Sequence, residues 1–219
     1  MNVCDILNEG SELMVIRYPN GKLFSKDETT PTKSNKTRMK QPSFSNRGKS
    51  LEDDLDETNK YYLTAGIANV HKKPVPIQIV KVEYPKRSAA VIKEAYFRTP
   101  STTDYNGVWN GMYIDFEAKE TESKTSFPLK NIHSHQIQHM KSVVLLDGLA
   151  FFIVRFSTLQ RDFVAPFHMI EEAWDTMFTG GRKSIPLTVF EEHAVEIPMS
   201  YQPRIDYIRA IQLLTKKKK

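Results

Sequence analysis

From Tyr113 to Lys119 the chain alternates without a break: Ile114, Phe116 and Ala118 are apolar, and Tyr113, Asp115, Glu117 and Lys119 fall between them. A period of two is the signature of a strand, whose successive side chains point to opposite faces. The apolar face can pack on a helix while the charged face opens onto a site. Asp104 stands on a preceding strand, and Thr102, two residues earlier, would share its face. Asn106-Gly107 and Asn110-Gly111 join the two strands, and Asn-Gly is a strong hairpin signal.

Helical periodicity takes over on either side. Ser50 is an N-cap residue followed by Glu52, Asp53 and Asp54, acids that complement the helix dipole. Leu51, Leu55, Asn59 and Tyr62 then line one side of a helix ending near Gly66. Ile67–His71 and Pro76–Tyr84 read as the strands of an edge hairpin broken by Pro74, Pro76 and Pro85, and Ser88–Arg98 as a short helix or an extended return. A helix starting at Pro128 carries Ile132, Gln136, Met140, Val143 and Val144 at helical spacing and stops at Gly148. Leu149–Phe156 is apolar but for Arg155, as a central buried strand is. His168–Phe178 and Arg204–Leu214 read as amphipathic helices, and there is no internal repeat.

Composition narrows the partners. The chain has 219 residues, 40% of them hydrophobic, enough for one substantial core. Its net charge is +5, unevenly spread: Arg17 to Lys49 holds nine Lys or Arg against Asp27 and Glu28, and the chain ends in Lys216 to Lys219. Such blocks attract polyanions, although a basic run alone is more simply a solvated tail. Residues 1–45 therefore read as a flexible basic arm, 46–215 as the folded domain and 216–219 as a lysine tail. Cys4 is the one cysteine, which fits a reducing cytosol. The first sixteen residues carry Asp5, Glu9 and Glu12 and lack the basic start of a signal peptide, and no apolar run approaches a membrane span. A cytoplasmic location is expected.

Two carboxylates and a lysine on adjoining strands suit the holding of a hard divalent cation against a phosphodiester. Magnesium takes oxygen ligands and keeps several waters, so Asp104, Glu117 and a substrate phosphate suffice. Lys119 would stabilise charge developing on the phosphate oxygens or orient the attacking water. An ordinary surface hairpin with alternating charges would look the same, and Asp-x(n)-Glu-x-Lys alone is a weak pattern. Glu52 is a second-tier candidate, by position first a helix-terminal charge. Gln136 lies on an otherwise apolar helix face and needs partners if buried. His135 and His139 have the spacing of a helical zinc pair but lack the glutamate of a His-Glu-x-x-His motif, so surface or phosphate-contact roles fit better. Between His71 and Arg98, cations alternate with Tyr84, Tyr96 and Phe97, a mixture that can hold phosphates and stack on unpaired bases. An exposed hairpin with aromatic cover for the core is the competing account.

Several longer segments carry a resemblance. They are Arg47-Gly-Lys-Ser-Leu-Glu52, His71-Lys-Lys-Pro74, Tyr84-Pro-Lys-Arg-Ser-Ala-Ala90, Ser101-Thr-Thr-Asp-Tyr-Asn-Gly107, Ile114-Asp-Phe-Glu-Ala-Lys-Glu120, Lys124-Thr-Ser-Phe-Pro-Leu129 and Tyr201-Gln-Pro-Arg-Ile-Asp-Tyr207. With these the chain resembles the RecU Holliday-junction resolvases of the PD-(D/E)xK nuclease superfamily. The resemblance implies an α/β, restriction-endonuclease-like mixed sheet flanked by helices, ordered helix, three strands, helix, strand, with a protruding basic stalk at about 74–97. It implies a homodimer dependent on Mg2+, metal ligands at Thr102, Asp104, Glu117 and Gln136, and a transition-state lysine at Lys119. The family's helix glutamate falls on Glu52. Asp115 matches no ligand position and is read as a neighbour. The stalk gives Lys72, Lys73, Lys81, Lys86, Arg87 and Arg98 a role in DNA binding. The resemblance also implies contact with the recombinase RecA and a branch-migration motor. Met1–Arg17 and the lysine tail depart from the family pattern.

The leading expectation is thus a structure-selective endonuclease that makes paired cuts in four-way DNA junctions during recombination and repair. Two rivals stand beside it. One is a DNA-binding, strand-annealing recombination accessory that modulates RecA. The other is a restriction-type nuclease acting on linear duplex.

Overall fold

The computed structural model describes residues 50–86, 89–98 and 100–216. The expected arm, Arg87 and residues 217–219 lie outside them. Helix α1 (Leu51–Thr64) starts where its cap predicts: the Ser50 hydroxyl accepts from the Asp53 N–H, and the Asp53 carboxylate accepts from the Ser50 N–H. After α1 come strands β1 (Asn69–Lys72), β2 (Ile77–Lys86), β3 (Ala89–Phe97), β4 (Tyr105–Trp109), β5 (Met112–Thr121) and the short β6 (Ser126–Pro128). Helix α2 (Ser134–Leu145), β7 (Leu149–Phe156), β8 (Arg161–Pro166) and α3 (Phe167–Phe178) follow. The chain continues through β9 (Ser184–Pro186), α4 (Leu187–His193), β10 (Val195–Ile197) and α5 (Tyr207–Lys216).

Six strands form one sheet in the order β1-β4-β5-β7-β8-β10. Only β5 and β7 within it run parallel, with Glu117 beside Phe152, and α2 makes the crossover between them. Read along the chain, the sheet is built as helix, three strands, helix, strand, the order that the resemblance implied. It is a mixed sheet with helices on both faces.

The alternation of β5 decides which face does what. Ile114, Phe116 and Ala118 face the cluster formed with Leu51 and Leu55 of α1 and Tyr207, Ile208 and Ile211 of α5. Phe116 is its centre: its ring stacks on Tyr105 at 4.9 Å and on Phe151 at 4.8 Å. The opposite face carries a second cluster from Ile137, Met140 and Val143 of α2, Phe152 and Val154 of β7, and Phe167 and Ile170 of α3. On that face β5 contributes no apolar side chain to the cluster and offers Asp115, Glu117 and Lys119 instead. That polar row runs into a buried layer, so each carboxylate there needs a partner.

Several expectations are corrected. Ile67–His71 and Pro76–Tyr84 do not pair with each other: β1 pairs with β4, while β2 pairs with β3 in a separate two-stranded sheet. Ser88–Arg98 is the extended return, not a helix. Asn106-Gly107 is no turn but lies inside β4, where a Cβ on Gly107 would meet the Asn69 carbonyl oxygen at 2.1 Å, so a bare backbone is needed for β1 to approach. The hairpin turns at Asn110 and Gly111, whose φ values of 49° and 75° are those of a tight primed turn. Pro128 precedes a short 3-10 turn, and α2 begins only at Ser134. Thr102 and Asp104 precede β4 rather than lying on it.

Candidate active site

Glu117 is fully buried, yet its carboxylate is held by polar partners. Oε2 accepts the Asp104 backbone N–H at 3.1 Å, and Oε1 takes the Lys119 ammonium at 2.7 Å and the Gln136 side-chain amide. Three elements therefore converge on one group: the loop entering β4, β5 itself and α2. Burial pushes the Glu117 carboxyl up to about 8, against the pull of Lys119 and with the negative charge of Asp104 adding to the rise. A buried carboxyl beside a second carboxylate is a place where a cation is favoured.

The donors fit a hard divalent ion: carboxylate oxygens of Asp104 and Glu117, with the Thr102 hydroxyl two residues from Asp104. That hydroxyl bonds the Thr103 carbonyl at 3.4 Å. Gln136 presents its nitrogen to Glu117 because its oxygen already accepts the His133 N–H at 2.9 Å, so in this arrangement it acts as a clamp on the carboxylate.

Glu52 lies in the first turn of α1 and pairs with Lys72 at 2.5 Å. That hydrogen bond is the main reason why the Lys72 ammonium is held above its usual range, and the charge of Asp104 adds to it. The same acids lift the hydroxyl of Tyr105: burial dominates, followed by the charges of Asp56, Glu52 and Asp104. Glu52 thus belongs to the electrostatic surroundings of Asp104. Its neighbour Asp54 has turned inward, where it pairs with Arg155 at 2.9 Å and Arg204 at 2.7 Å.

Asp115, read as a neighbour with no ligand role, has a full set of partners in the fold. It is fully buried, and its carboxylate is met by the Thr103 hydroxyl, the Lys73 ammonium at 2.8 Å, the Tyr113 hydroxyl at 2.8 Å and His139 Nε2 at 3.1 Å. Two α2 side chains three residues apart, Gln136 and His139, thus serve two β5 carboxylates two residues apart. The signal was present in the sequence as the shared strand face of Asp115 and Glu117. The partners of Asp115, by contrast, come from distant segments. His139 Nε2 is thus turned to Asp115.

The expected DNA-contacting cations divide. Lys73 is committed to the interior through Asp115 and Thr103. On the β2–β3 hairpin, Lys81 lies 3.8 Å from Glu83, and Lys86 is exposed. At its root, the Arg98 guanidinium donates to Gln78 at 3.1 Å. The hairpin exposes Ile77, Ile79, Tyr84, Tyr96 and Phe97 alongside these charges.

The chain is 55% identical over 201 residues to the Holliday junction resolvase RecU of Bacillus cereus (strain B4264), covering 92% of this chain and 98% of that one. It is 56% identical over 198 residues to the protein of the same name from Bacillus mycoides, covering 90% and 97%. A solved structure of Hjc, a Holliday junction resolvase from Archaeoglobus fulgidus, matches 67% of this chain and 93% of that chain at 12% identity, with a TM-score of 0.39. The family model described as recombination protein U matches residues 46–213. The chain belongs to the RecU family.

Proposed function

We infer that the protein is a structure-selective endonuclease that hydrolyses phosphodiesters in four-way DNA junctions during homologous recombination and repair. The observation that carries this reading is the Glu117 carboxylate, buried yet joined to Asp104, Lys119 and Gln136. The extent of its identity to proteins named as Holliday junction resolvases supports the substrate.

Asp104 and Glu117 would hold a divalent cation of the magnesium type, helped by the Thr102 hydroxyl. When bound, that ion supplies Lewis-acid stabilisation of the phosphodiester and a more acidic attacking water. Gln136 fixes the rotamer of Glu117. Lys119, 2.7 Å from the same carboxylate, places a compact positive charge where negative charge gathers on the phosphate oxygens. Glu52 adds negative charge to the surroundings that it shares with Asp104.

The domain plan follows the same reading. The 46–215 body carries the chemistry, and the β2–β3 hairpin with its cations and exposed aromatics is the stalk that meets unpaired bases and phosphates at the branch point. Lys72, Lys81, Lys86, Arg87 and Arg98 are the phosphate contacts. A two-fold homodimer would present two such sites to strands of equal polarity and give paired cuts. A cytoplasmic location and contacts with RecA and a branch-migration motor complete the proposal. No helix among the described residues is long and apolar enough to cross a membrane.

The test is cleavage of a synthetic four-way junction, with magnesium and with chelator, against linear duplex of equal length. Magnesium-dependent nicking confined to the junction is expected. Equal cutting of the duplex would favour a restriction-type nuclease, and junction binding without nicking would favour an accessory role.

A further inference from the structure

The β2–β3 hairpin leaves the folded body after Lys73 and returns before Asp104. Its two roots are tied to each other there. The Lys73 backbone N–H donates to the Asp104 carbonyl at 2.7 Å, and the Lys73 ammonium donates to the Thr103 hydroxyl at 3.0 Å. Both roots then converge on one carboxylate: Lys73 and Thr103 each donate to Asp115. Higher up, the Arg98 N–H donates to the Pro76 carbonyl at 2.9 Å, closing the base of the hairpin.

Asp104 is the residue that follows Thr103. Its peptide is held on both sides, by its N–H on Glu117 and by its carbonyl on Lys73. Any displacement of the hairpin roots therefore moves the backbone from which the Asp104 carboxylate projects. Asp115 is at 0% exposure and Lys73 at 18%, so their ion pair is poorly screened and resists that displacement.

We propose that Asp115, acting through Thr103 and Lys73, is a positioning residue: a clamp that sets Asp104 from both roots of the β2–β3 hairpin and couples the hairpin to the metal site. The proposal rests on the reading of Asp104 as a metal ligand. Tyr113 and His139 complete the Asp115 carboxylate from β5 and α2, and neither belongs to a root. They satisfy the buried charge without holding Asp104. A carboxylate that were merely satisfied would depend on Tyr113 as much as on Thr103.

Two readouts on the full chain without DNA separate the claims. Amide hydrogen exchange at Lys73 and Asp104 reads the clamp in metal-free protein, and calorimetric titration with calcium reads the metal site without turnover. Thr103→Val should speed both amides about tenfold and weaken calcium binding by about tenfold, the size typical of lost support behind a ligand. Lys73→Met should do the same from the other root. Thr103→Ser, which restores the hydroxyl, and Tyr113→Phe should stay within about twofold of wild type. Wild-type exchange and calcium affinity in both Thr103→Val and Lys73→Met would overturn the clamp, as would an equal loss in Tyr113→Phe. If wild type binds no calcium while the exchange pattern holds, the metal reading fails and the clamp stands.

Discussion

Gln136 of α2 donates its side-chain amide to Oε1 of Glu117 on β5, while its own oxygen accepts the His133 N–H. The glutamine is therefore held through its oxygen as its nitrogen meets the carboxylate, and it takes up one of the lone pairs of the fully buried Glu117. Gln136→Ala removes that donor and frees the Glu117 rotamer. Junction cleavage should fall by about 10- to 100-fold, with a higher magnesium requirement and unchanged junction binding. Cleavage rates measured across a magnesium titration check this, and a wild-type profile would show that Gln136 only fills space.

Lys119 shares the same carboxylate oxygen at 2.7 Å. Its proposed role lies in the transition state, so its loss should appear in turnover rather than in binding. Lys119→Met should cut the single-turnover rate by about 100-fold or more, while junction affinity stays near wild type. Loss of affinity at a preserved rate would make Lys119 a phosphate anchor instead.

Glu117 also predicts a pH dependence. Burial and Asp104 raise its carboxyl to about 8, against 4.5 for an unstrained glutamate. Between those values the folded protein retains a proton that the unfolded chain has released. Without divalent ion, stability should therefore fall as pH rises from about 5 to about 8, and magnesium, which displaces that proton, should bind more tightly over the same range. Thermal unfolding of wild type and Glu117→Gln across this window tests the idea. The variant should lose the slope, and an identical slope in both would assign it elsewhere.

How much of this was legible depended on how local each signal was. The strand alternation around Phe116, the cap at Ser50 and the apolar run at Leu149–Phe156 are short-range patterns, and each gave its element. Glu117, Lys119 and Asp104 could be grouped because two adjoining strands carry them. The pairing of β1 with β4 was not legible, since Pro74 and Pro76 made Ile67–His71 and Pro76–Tyr84 look like one hairpin. The pairing depends on the bare backbone of Gly107, which faces Val70 and leaves room for the Asn69 carbonyl, a contact that spans almost forty positions in sequence and looks like a turn when read locally. The partners of Asp115 were illegible for the same reason: Lys73, Thr103 and His139 meet it only in the fold.

The acids at the start of α1 also divide in a way that sequence position hides. Asp54 joins Arg155 and Arg204, and Arg155 in turn holds Asp162 through contacts of 2.7 and 2.8 Å. This cluster ties α1 to β7, β8 and the segment before α5. Arg155→Met leaves the nearly buried Asp54 with a single cation and should destabilise the fold by about 3 kcal/mol, read by urea unfolding. Unchanged stability would mean that the apolar replacement offsets the lost pairs.

Asp104 and Glu117 are proposed to form a cation-dependent nuclease site acting on branched DNA. That proposal is tested most directly by incubating wild type and Asp104→Ala with a four-way junction and magnesium and resolving the products on a denaturing gel. Wild type should convert the junction into paired nicked duplexes, and Asp104→Ala should bind the junction but cut it about 1,000-fold more slowly or not at all. Equal cleavage by the two proteins would contradict the account.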